Sequence, residues 1–99
     1  MKNINIVYEE DYEDVDIVQV PDDIADDIDL VVNEFFKWVA IPENHIRFQI
    51  ENAEGKTVLN IDTEEFLWWL NHIKITDESR AIIIKQHTSV CLEWPVADF

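Results

Sequence analysis

Apolar residues change their spacing several times along this 99-residue chain, and each change marks an element. Asn3 to Tyr8 alternates, with Ile4, Ile6 and Tyr8 on one face, which predicts a half-buried strand. Glu9 to Asp14 is a charged run around Tyr12 and predicts a loop or exposed edge. Val15 to Val20 is β-branched and predicts a second strand, ended by Pro21. Its interruptions, Asp16 and Gln19, suggest an edge position. From 22 to 40 the period lengthens. Ile24, Ile28, Val31, Phe35 and Trp38 fall at steps of 4, 3, 4 and 3, one stripe of an amphipathic helix with Asp22 or Asp23 at its cap.

Alternation returns after Pro42. Ile46, Phe48 and Ile50 oppose His45, Arg47, Gln49 and Glu51, and Asn52 to Gly55 reads as the turn of a hairpin whose second strand runs from Lys56 to Ile61. Asp62 and Glu65 have capping-box spacing, which predicts a second helix near 63–72. Phe66, Trp69, Leu70 and Ile73 share its apolar face, and Trp68 projects away from that face at about 100° per residue. Beyond the polar break at Asp77 to Arg80, Ala81 to Gln86 reads as a central strand and Val90 to Trp94 as a last strand before Pro95. The order ββαββαββ predicts an α+β fold: one domain over residues 1–99, a mostly antiparallel sheet of about five or six strands, and two helices on one face. The aromatic segments at Glu34 to Val39 and Glu65 to Leu70 echo one another, as two amphipathic helices readily do.

Charge changes the picture most. The net charge is -15, and residues 1–34 hold twelve acids against the single base Lys2. Ile17, Val18, Val20, Ile24, Ile28 and Val31 are threaded through the same stretch, so the acids decorate a folded surface rather than a disordered tail. Such a surface attracts basic partners and is repelled by phosphates and anionic membranes. The expectation is a basic protein partner, with no direct nucleic acid and no membrane. With no basic signal-like start and no long apolar run, the expected location is the cytoplasm, and the expected state a monomer or weak dimer.

Candidate chemistry is sparse. Gly55 is the only glycine, which excludes phosphate-binding loops, so no cofactor is expected. His45, His72 and His87 lack metal-ligand spacing, and the run from Glu9 to Asp16 lacks the order of a calcium loop. Cys91 lies in an apolar run and reads as a buried, inert thiol. A binding protein is therefore expected rather than an enzyme. The candidate partner-binding residues are Glu9, Glu10, Asp11, Tyr12, Glu13 and Asp14, the helical stripe Asp22, Asp26 and Asp29, and Trp68, with the acids forming one surface if the second strand and first helix are neighbours.

In general character, small and acidic without a catalytic motif, the chain resembles bacterial immunity proteins, including those of contact-dependent inhibition systems. That resemblance implies an inhibitor of a basic toxin domain such as a nuclease. A nucleic-acid mimic directed at a DNA-binding or restriction protein is the alternative, and a non-catalytic adaptor the third reading.

Overall fold

The computed structural model describes residues 1–45, 49–51, 53–59 and 61–99. Its class is α+β. Strand β1 (Lys2–Val7) pairs antiparallel with β2 (Val15–Val20), Lys2 facing Val20 and Ile6 facing Asp16. Helices α1 (Asp22–Asp26), α2 (Ile28–Val39) and α3 (Pro42–His45) follow, then the small hairpin β3 (Gln49–Glu51) and β4 (Thr57–Leu59). Helix α4 (Thr63–Trp69) runs into a π-helical turn at Leu70–Lys74, before strands β5 (Ile82–Thr88) and β6 (Val96–Asp98). The main sheet has the order β5-β2-β1-β6, with β6 parallel to β1, and the β3–β4 hairpin forms a separate sheet.

The expected single antiparallel sheet of five or six strands is thus replaced by a mixed sheet of four strands and a detached hairpin. Two local readings change with it. β2 is central and β5 lies at the edge, the reverse of the expected placing. β2 tolerates the centre because Asp16 finds partners inside the fold. Val90 to Trp94 is not a strand; its chain turns over the back of the sheet, and the last strand begins after Pro95. The proline has no N–H for a ladder, so pairing can resume only beyond it.

The core lies between the sheet and the helices. Ile4, Ile6, Val18 and Val20 meet Ile24, Ile28, Val31, Phe35, Phe66 and Leu70. Phe35 is its aromatic hub, 5.2 Å from Phe66 and 5.4 Å from Trp69 between ring centroids. The expected helix over 22–40 is broken at Asp27, whose φ of -115° and ψ of 33° leave the helical region. Aspartate is a poor helix former, and four of the six residues from Asp22 to Asp27 are aspartate. The break keeps both Ile24 and Ile28 buried.

At α1 neither Asp22 nor Asp23 caps the helix. The Pro21 carbonyl accepts from the Ile24 and Ala25 amides at 3.1 Å instead. α4 does carry the expected capping box: the Asp62 carboxylate accepts from the Glu64 and Glu65 amides, and Glu65 accepts from the Asp62 amide. Beyond Trp69 the turn widens, with the Ile75 amide donating to the Leu70 carbonyl at 2.8 Å. That extra residue rotates the side chains after it, so Ile73 is exposed rather than on the apolar face. The helical segment therefore continues to Lys74, past the expected end near 72. Ile46, Arg47, Phe48, Asn52 and Asn60 lie outside the described residues. No helix among the described residues is long and apolar enough to cross a membrane.

Candidate functional site

The antiparallel register of β1 and β2 decides where the acids go. The turn from Glu9 to Asp14 joins the strands at their Val7 and Val15 end, whereas α1 leaves β2 at the opposite end, beside Lys2. Six strand residues at about 3.3 Å each separate the two groups by roughly 20 Å. The expected single acidic surface is therefore two surfaces, one at each end of the hairpin.

In the turn, Glu9 and Glu10 adopt left-handed backbone conformations, with φ of 50° and 61°. The Asp11 amide closes the turn onto the Tyr8 carbonyl, and the Asp11 carboxylate accepts from the Glu13 amide. Glu9, Glu10, Asp11, Glu13 and Asp14 are all exposed around Tyr12, itself 46% exposed. Asp14 takes the imidazole of His87 at 2.8 Å. That hydrogen bond, with the charge of Asp14, raises the His87 pKa above its ordinary value.

At the other end, Asp22 receives the N-terminal ammonium at 2.8 Å, which lowers its pKa, and Asp26 receives Lys2 at 2.6 Å, which raises that of Lys2. Asp27 and Asp29 are exposed and make no ion pair among the described residues. With Leu30, 59% exposed, they line an open groove of about 610 Å³ against Pro95 and Val96. A second groove of about 520 Å³ continues past Asp26 and Pro95 to Trp94 and Glu93. This end thus combines negative charge, apolar floor and open access. Asp27, Leu30 and Glu93 were missed by sequence reasoning. Glu93 reaches this end only because β6 returns beside β1, and nothing local in the sequence signals that return.

Trp68 does not stand apart from the core. It is half-buried, its ring 6.1 Å from Trp38 and stacked on His72 at 4.6 Å. Tyr8 is also committed to the interior. The Thr63 hydroxyl has one hydrogen, which it gives to the Asp16 carboxylate at 2.5 Å, so Tyr8 must donate to Thr63, also at 2.5 Å. Asp16 accepts further from the His87 amide. Burial holds the Tyr8 phenol up at about 12. This chain ties β1, β2, β5 and α4 together, and Thr63 is too buried to meet a substrate.

Cys91 is half-buried rather than buried. Its amide and carbonyl are both held by the Asn5 side chain at 2.9 Å. Among the described residues, no group of three or more histidines, cysteines or acids is placed to hold a metal ion. The chain matches no known family model, no curated protein and no solved structure.

Proposed function

We propose that this chain is an immunity protein: a cytoplasmic inhibitor that neutralises a basic toxin domain, a nuclease of a bacterial contact-dependent or polymorphic toxin system. The reading rests on one observation. Asp27 and Asp29 stand exposed and unpaired by any cation among the described residues, beside exposed Leu30, on an open groove. A nuclease must gather phosphates, so its cleft is basic. A protein that blocks such a cleft needs charge for fast association and an apolar anchor for slow release. The turn acids around Tyr12 give a second point of attraction.

A nucleic-acid mimic would need acids in one long row at close spacing. Their division between two ends of the β1–β2 hairpin favours the inhibitor. The test is affinity capture on the immobilised protein from lysate of its own source, eluted by rising salt and identified by mass spectrometry. A small basic toxin domain eluting late supports the proposal. A DNA-binding enzyme displaced by added DNA supports mimicry, and an empty eluate counts against both.

A further inference from the structure

The longest stretch without an acid is residues 79–92, which holds two of the chain's seven bases and none of its 22 acids. It supplies β5 and much of the segment that turns over the back of the sheet, opposite the helices. There Val90 and Trp94 pack on Val7, Val15 and Ile17. Ile84, Lys85, Cys91 and Trp94 join Ile17 around a groove of about 350 Å³ that no carboxylate lines. Ile82 and Ile84 are about half exposed, at 47% and 50%. Leu92 does not line the groove and is 90% exposed beside it.

That leucine is not on a slack loop. Asn5, fully buried, donates to the carbonyls of Cys91, Trp94 and Pro95 and accepts from the Cys91 amide. A buried asparagine whose two N–H groups are shared among three carbonyls, and whose oxygen accepts from the Cys91 amide, makes a rigid mount, and Leu92 is what the mount displays. The neighbouring acid, Glu93, is exposed, and Lys85 on the groove makes no ion pair among the described residues.

We propose that this face binds a second copy of the chain about a two-fold axis, Leu92 of each copy entering the Ile17–Ile84–Trp94 groove of the other. Seating Leu92 there carries Glu93 towards Lys85 of the facing copy, so each knob brings the charge its groove lacks. Two-fold symmetry makes the exchange reciprocal and closes the assembly at a dimer. Two chains of charge -15 repel one another over most of their surface, and here the groove that receives the facing copy is lined by no carboxylate. A basic partner is disfavoured on the same face by Lys85, which lines the groove. Edge pairing of β5 is disfavoured too, because register shifts in its pairing with β2 and the exposed Lys85 both blunt that edge. The proposal does not rest on the toxin reading: Asp27, Asp29, Leu30 and the turn acids take no part in it, although Glu93 and Trp94 also line the groove beside Asp26.

The test is the solution mass across a concentration series by analytical ultracentrifugation. The mass should rise from 11.7 kDa to twice that value. Leu92→Asp should weaken dimerisation on the order of a hundredfold or more, since each dimer loses two buried leucines. Its unfolding midpoint, measured in dilute solution where the chain is monomeric, should not move. Lys85→Glu should weaken the dimer, and Lys85→Glu with Glu93→Lys should restore it. A monomer at every concentration, or a dimer indifferent to Leu92→Asp, overturns the proposal.

Discussion

Replacing Thr63 by valine removes one hydroxyl and keeps the shape. Thr63 is 1% exposed, and its hydroxyl both donates to Asp16 and accepts from Tyr8. A hydrogen bond to a charged group contributes about 1.5–3 kcal/mol and a neutral one about 0.5–1.5 kcal/mol. The Tyr8 bond belongs at the low end, because Tyr8 is only partly buried. Asp16 would keep only the longer bond from the His87 amide, at 3.4 Å. Thr63→Val should therefore destabilise the protein by about 2–4 kcal/mol, close to the cost of breaking a buried polar network. Thr63→Ser keeps the hydroxyl and loses one methyl group, so it should cost only about 1 kcal/mol. Urea unfolding followed by tryptophan fluorescence measures both. A Thr63→Val protein within about 0.5 kcal/mol of the parent would refute the claim that this chain braces the sheet against α4.

Three further outcomes follow from the same structure. Asn5→Ala should cost about 2–4 kcal/mol by removing the partner of the Cys91 amide and of the Trp94 carbonyl, and Cys91 should then react faster with a thiol reagent. Asp62→Ala should cost about 1 kcal/mol through loss of the α4 capping box, read as a fall in Tm of about 4–8 °C. The raised His87 pKa makes the folded protein hold a proton that the unfolded chain releases near pH 6.5, so this contribution is complete below about pH 6.5 and lost as pH rises through the folded value. Asp14→Asn should remove that slope from the pH–stability curve and leave the rest unchanged.

Much of the local structure was legible because it is written in periods. The alternation of Ile4, Ile6 and Tyr8 and the stripe from Ile24 to Phe35 place the same residues in the core that the fold buries, Tyr8 partly so. The spacing of Asp62 and Glu65 announces the capping box. What was not legible depends on partners distant in sequence. Asp16 argued for an edge strand because its acceptor needs are met by groups distant in sequence, the Thr63 hydroxyl 47 residues away and the His87 amide 71 residues away. The parallel return of β6, and with it the placing of Glu93, has no local pattern. The aromatic Trp68 read as exposed on an ideal helical wheel, but Trp38 and His72 close over it. The acids were legible as a composition and not as a surface, since which of them share a side depends on the register of one hairpin.

The central claim is that unpaired carboxylates beside Leu30 bind a basic toxin domain. Its most direct test is the salt dependence of affinity for the captured partner, compared between the parent protein and the double variant Asp27→Asn, Asp29→Asn. The parent affinity should fall steeply with salt, and the variant should bind more weakly with a shallower slope while unfolding at the same or a higher midpoint. Equal affinity and equal slope in a folded variant would contradict it.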